Sequence, residues 1–303
     1  MMNGQAGWES GTADDLVADA LGLGVQATAR MVTDYVEVGL LAPPRYRKTT
    51  QRGSDQRLFP PEQRRLFYEL CRAKQRSPLP RVPHRTMIPV VLYMWLTDDT
   101  VIPAEQARRA LRTHASATGI SAEGRRRKSA NQVVEQFAHP TATTAQRLRL
   151  AQLLREGEQT RRPDWDAVAD ALAAVASPWR RGEGPAEIVR GFGPPQMPLT
   201  TDQVGAIWEA KWAVTRQLRT ESVPEGKLLE AREAARKDWA GYAAQRPALM
   251  RDAGHLAHIF DVPEDQEQMA RQHVNRFLAV LAHALGEMRP AFQRAAERAH
   301  ARL

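Results

Sequence analysis

Cysteine is almost absent from this chain, and Cys71 alone among 303 residues excludes an intrachain disulfide and a thiolate-based zinc site. It stands in a helical pattern and is expected to pack as a small apolar residue. Long apolar runs are missing as well. The nearest, MIPVVLYMWL at 87–96, is shorter than the roughly 18 residues that cross a bilayer, so no membrane contact is expected. The opening MMNGQAGWESGTADD lacks the basic and apolar regions of a secretory signal, and a cytoplasmic protein is the expectation. Glycine-rich phosphate loops, a nucleophile elbow and paired-carboxylate motifs are also lacking, and RGFGPP has neither the spacing nor the strand context of a nucleotide fingerprint. No enzyme, cofactor or metal is therefore expected.

What is present is positive charge, unevenly placed. The chain carries a net charge of +8 and a pI near 10.0. Between Ala42 and Arg85 stand twelve Lys and Arg residues against Asp55, Glu62 and Glu69, an excess of nine that is larger than that of the whole protein. Such a concentration is the electrostatic footprint of phosphate binding.

Alanine is abundant, strand-forming runs are rare, and no internal repeat is found, so a mainly α fold is expected. Thr12 suits the N-cap of a first helix, ADDLVADALGLG, with Leu16, Val17, Ala20 and Leu21 as its buried stripe. Thr28 suits the N-cap of a second helix, in which Ala29, Val32 and Val36 point inward and Arg30, Thr33, Asp34 and Glu37 lie on the other face. Gly39 stops it, and Leu40, Leu41, Pro43 and Pro44 form an apolar, rigid exit. From Arg45 to Gln56 the polar, threonine-bearing chain with Gly53 fits a two-stranded hairpin with an irregular tip. Pro60 and Pro61 open a third helix, with Leu66, Phe67, Leu70 and Cys71 toward the core and its arginines toward water or nucleic acid.

This order is that of a winged helix-turn-helix, and the segment resembles the DNA-binding domain of the MerR family of bacterial transcription regulators. The second helix of that family typically runs V-S-x-R-T-I/L-R-Y-Y-E-x-x-G-L-I/L-x-P. Ala27, Thr28, Arg30, Val32, Tyr35, Gly39, Leu40, Leu41 and Pro43 match it. Gly53, Arg57, Leu58 and Phe59 are similar to the family's G-Y/F-R-x-Y wing end, with an insertion, and PPEQRRLFYELCRAKQR stands where the family packs a helix under the wing. Thr33, Asp34 and Val36 depart from the usual arginine, aromatic and glutamate. The resemblance covers roughly the first 76 residues. It implies a sequence-specific regulator bound to double-stranded DNA at the nucleoid, a homodimer on a palindromic site, and action by bending or untwisting promoter DNA.

On that basis Arg30, Met31, Thr33, Asp34 and Tyr35, with Thr28 at the helix start, face or border the major groove. Arg45, Arg47, Lys48, Arg52 and Arg57 reach phosphates from the wing. Asp34 either accepts a hydrogen bond from a cytosine amino group or pairs with a wing arginine. Two other uses of the same face stand beside this one: docking of an acidic protein partner, and an accessory role in plasmid or phage DNA maintenance.

The expected organisation is a winged domain at 12–76, a proline-punctuated linker at 77–85, a helical domain at 86–176, a linker or surface loop at 177–199, and a second helical domain at 200–303. These C-terminal helices would serve dimerisation, a protein partner or a small-molecule effector. In them EGRRRKSAN, at 123–131, reads as a solvated basic loop. PALMRDAGHLAHIF reads as a separate helix, and one long closing helix is expected from Pro263 to Arg302. His255 and His258, with Asp261, lack further ligands and read as packing residues. Trp208, Trp212 and Trp239 fall at helical spacing, favouring a core role over an aromatic ligand pocket.

Overall fold

A computed structural model describes residues 7–47, 56–76, 86–98, 101–119, 123–160, 163–179, 187–189, 199–220 and 223–301. It is mainly helical. Two compact units are formed, one from Met1–Ala117, Val223–Leu229 and Asp265–Val274, the other from Thr118–Ser222, Glu230–Glu264 and Asn275–Leu303.

The first unit opens with α1 (Ala13–Gly22), α2 (Ala29–Val38), strands β1 (Arg45–Arg47) and β2 (Gln56–Leu58), and α3 (Pro61–Arg76). Thr12 starts α1 through a full capping box: its hydroxyl accepts from the Asp15 amide, and the Asp15 carboxylate accepts from the Thr12 amide at 2.7 Å. Those bonds favour the ionised form and hold the Asp15 carboxyl below its usual range. Leu16 and Ala20 of α1 are buried, but Val17 is half-buried and Leu21 is exposed, so the inward stripe is narrower than expected. In α2 the buried positions are Val32 and Tyr35, while Ala29 is exposed and Val36 half-buried. The inward face is thus rotated from the one anticipated. Leu66, Phe67, Leu70 and Cys71 of α3 are buried, as their spacing indicates. Two further helices follow, α4 (Ile88–Thr97) and α5 (Ala104–Gly119). α4 is apolar on nearly every side and correspondingly deep, with Val91, Leu92 and Trp95 at most 1% exposed.

The second unit contains α6 (Glu123–Phe137), α7 (Thr144–Thr160), α8 (Trp165–Ala176), the strands β3 (Glu187–Val189) and β4 (Leu199–Thr200), and α9 (Thr201–Thr220). Helices α10 (Glu225–Asp252), α11 (Gln266–Ala284) and α12 (Met288–Ala301) complete the chain. Its core gathers Val134, Leu150, Leu172, Val175, Leu256 and Phe260. Helix α9 packs against α8 and α12, and Glu209 pairs with Arg294 across the latter contact at 2.7 Å.

Four expectations are corrected here. Residues 123–131 open α6 and are not a loop. Within 177–199, β3 and β4 pair antiparallel, so part of that stretch is ordered ladder. Helix α10 runs through Pro247 to Asp252, and only Gly254–Phe260 forms a separate, 3₁₀ turn. Pro247 and Ala243, whose carbonyl loses its helical donor, are both exposed, so the missing bond leaves no buried carbonyl unpaired. The closing segment is two helices, because Gly286 adopts φ +78° and the Glu287 and Gly286 amides cap the Ala282 and His283 carbonyls. The expected linker at 77–85 lies outside the described residues.

Candidate nucleic-acid interface

Helix α2 is framed by its own termini. The Thr28 hydroxyl accepts from the Met31 amide at 3.2 Å, and Gly39 takes φ +83° so that the Leu40 and Gly39 amides can reach the Tyr35 and Val36 carbonyls. Between these ends Thr28, Arg30 and Thr33 are exposed, and Met31 and Asp34 are half-buried. The Thr33 hydroxyl donates to the Ala29 carbonyl at 3.2 Å, which leaves its lone pairs outward. Tyr35 does not join them. It lies three residues beyond Val32 on the inward face, 0% exposed, with its ring edge-on to Phe67 at 5.5 Å, and burial raises its hydroxyl pKa. Tyr35 anchors the helix and does not border a groove.

The exit from α2 is locked from inside. A Cβ at Gly39 would lie 2.3 Å from the Ala110 backbone nitrogen, so only glycine permits this approach to α5. Gln63, 1% exposed, accepts from the Ala42 amide at 2.8 Å and donates to the Val101 carbonyl at 2.7 Å and to Gln106 Oε1 at 2.9 Å. Gln106, fully buried, donates in turn to the Leu40 carbonyl at 2.9 Å. The pair satisfies backbone groups that the turn strips of partners. Sequence reading missed it, since no local pattern links residues 43 apart.

β1 and β2 are antiparallel, with Arg45 opposite Leu58, Tyr46 opposite Arg57 and Arg47 opposite Gln56. Opposed residues share a face and neighbours alternate, so Arg57 lies with Tyr46 while Arg45 projects to the other side. Both arginines are exposed, and the Arg57 guanidinium sits 5.5 Å from the Tyr46 ring centre. Tyr46, 66% exposed, was not singled out by sequence, although an aromatic residue between two arginines in a strand was a usable signal. A bridge at the base, Gly11 to Phe59 with bonds of 3.0 and 2.7 Å, ties the hairpin to the chain before α1. Arg47 belongs to β1, but its side chain, Lys48 and Arg52 lie outside the described residues.

Not every arginine of α3 faces outward. Arg64 grips both carboxylate oxygens of Asp19, at 2.5 and 2.9 Å, and lies over the Trp8 ring at 5.7 Å. The bonds to Asp19 raise its pKa, and the guanidinium is a clamp between α1 and α3. Arg65 and Arg76 are exposed.

In the second unit, Arg127 of the basic run is exposed on α6. His258 lies with Nε2 3.0 Å from the Gln136 carbonyl, and the His255 side chain is outside the description. Among the described residues no cluster of three His, Cys, Asp or Glu could hold a metal, and no helix is long and apolar enough to cross a membrane. Compared with known proteins, the chain matches no family model, no curated protein and no solved structure.

Proposed function

We propose that this chain is a sequence-specific DNA-binding transcriptional regulator, cytoplasmic and nucleoid-bound, whose first unit acts as a winged helix-turn-helix. In this reading α2 is the recognition helix and the β1–β2 hairpin is the wing. One observation carries the proposal: α2 turns Thr28, Arg30 and Thr33 outward, and an exposed hairpin bearing Arg45 and Arg57 begins six residues after Gly39. A donor-rich helix face reads base edges, and flanking guanidiniums neutralise phosphates. The excess of nine positive charges over 42–85 supports the same partner. Arg30 is the candidate for direct base contact, while Arg45 and Arg57 set affinity. Homodimeric binding to inverted half-sites about 34–36 Å apart belongs to the proposal.

The test is selection of genomic fragments on the purified full chain, followed by gel-shift titration between low and physiological salt. Affinity should fall steeply with salt, with a log–log slope of about −0.9 per neutralised phosphate. Arg30→Ala should blur the preference among sequences. Salt-insensitive binding, or retention of an acidic protein after nuclease treatment with no duplex selected, would overturn the reading.

A further inference from the structure

The second unit holds a cleft that DNA binding does not use. Helices α6, α7, α8 and α9 each contribute to its walls, and its volume is about 130 Å³. That is close to the roughly 150 Å³ that accepts a benzene molecule. The inner end is made by Ala130 of α6 and Val168 of α8, 4% and 1% exposed, and the mouth by Val133, Leu154, Trp165 and Trp212, all half-buried. A narrow space walled by carbon offers water few hydrogen bonds, so an apolar molecule that fills it gains contacts the walls otherwise lack. Its dimensions suit one ring.

Trp165 and Trp212 meet edge to face, ring centres 6.3 Å apart and planes at 88°. Two indoles at right angles lining one space offer a third ring the stacked and edge-on contacts that aromatic pairs prefer. Gly157 shapes the wall beside them: a Cβ there would lie 2.9 Å from Pro163 Cβ, so its absence lets the proline close against α7. Glu158 alone of the described lining residues is charged, and it already has an interaction partner within the protein. It has no spare charge to offer an ion, and an ion entering between carbon walls would lose hydration without replacement. What these walls reward is an uncharged ring.

We propose that this cleft binds a neutral aromatic molecule of one ring with at most a short substituent, the ring lying against Trp165 and Trp212 and reaching toward Ala130 and Val168. Burial of apolar surface supplies the affinity, and the indole pair supplies the preference for an aromatic over a saturated ring. The site stands independently of what the first unit binds.

Calorimetric titration of the full chain with benzyl alcohol tests the idea, with cyclohexylmethanol as the saturated counterpart and benzylammonium and benzoate as the charged ones. The expected result is saturable one-to-one binding of benzyl alcohol, about three- to tenfold tighter than cyclohexylmethanol and at least about tenfold tighter than either ion. Val133→Phe puts a ring of the protein's own at the mouth and should abolish binding while cooperative melting is retained. Trp212→Leu keeps a carbon wall, so it should weaken benzyl alcohol and erase its advantage over the saturated ring. Absence of saturable benzyl alcohol binding, equal affinity for cyclohexylmethanol, or an ion that binds as tightly would overturn the proposal on the parent chain alone. Unchanged affinity in a folded Val133→Phe would overturn it as well.

Discussion

Tyr35, Phe67 and Trp95 of the first unit are at most 1% exposed, whereas Trp165, Trp208, Trp212 and Trp239 of the second are half-buried and Trp179 is 62% exposed. The first unit also consumes polar side chains internally, through the Gln63–Gln106 pair and the Arg64–Asp19 clamp. Outside, it leaves Arg30 on α2, Arg45 and Arg57 on the hairpin and Arg65 and Arg76 on α3, together with the carboxylates Asp14, Asp15, Glu37 and Glu69. The second unit buries Phe260 and Phe277 but leaves its tryptophans partly at the surface, whereas the half-buried aromatics of the first unit are Trp8, Tyr68 and Tyr93. Apolar area left in water forgoes about 25 cal/mol per Å², so half-buried tryptophans are available to a ligand in a way that Trp95 is not. Tyr46 is the exposed aromatic residue of the first unit, and it lies on the hairpin assigned to phosphate contact.

The sharpest way to break this contrast uses two glycines. Gly39→Ala forces an L-residue to φ +83° and drives a Cβ into the Ala110 backbone, with an expected loss of at least about 3 kcal/mol in urea unfolding. Gly157→Ala keeps an ordinary helical backbone but brings a Cβ to 2.9 Å of the Pro163 ring, so the clash outweighs the gain in helix propensity and a smaller loss of about 1–2 kcal/mol is expected. Equal losses would show that the α2 exit is less constrained than its geometry indicates. Next in size, Gln63→Ala strands the Ala42 amide and is expected to cost about 1–3 kcal/mol. The double change with Gln106→Ala should cost less than the two single losses combined, a coupling that a double-mutant cycle measures.

Smaller still is the difference between two arginines. Arg64→Ala should lower stability by about 1–2 kcal/mol, because it frees a partly buried carboxylate at Asp19. Arg57→Ala should leave stability within about 0.5 kcal/mol yet reduce the salt slope of DNA binding by about 1. If Arg57→Ala left the slope unchanged, the hairpin would not be the phosphate-gripping element. The least effect comes from pH. The folded-state pKa of Asp15 is held below its unfolded value, so its contribution is complete above that value and is lost as pH falls through the folded one. In thermal melts below about pH 4, Asp15→Asn should flatten the decline in stability.

The parts legible in the sequence were those decided locally. Thr12, Thr28 and Gly39 mark helix ends because capping involves residues at most four positions away, and α3 is readable because its apolar residues recur every turn. Tyr35 was misplaced because helical spacing allows more than one inward face, and Phe67, on another element, selects between them. The glutamine pair bridges distant segments, so it carried no pattern at all. Pro247 and Gly286 show both errors of punctuation: a proline whose exposed turn tolerates it, and a glycine whose left-handed backbone ends a helix that composition alone would continue. For the candidate interface, residue types were readable, but the division of Arg45 and Arg57 between opposite faces required the strand register.

Cys71, on the buried face of α3 and pushed up to about 11 by that burial, stays protonated and shielded at neutral pH. The chain therefore carries a chemically silent native thiol. A cysteine placed at Tyr46 on the hairpin or at Trp179 in the other unit would take a maleimide dye alone, so either unit can report on its own ligand without first engineering the background away.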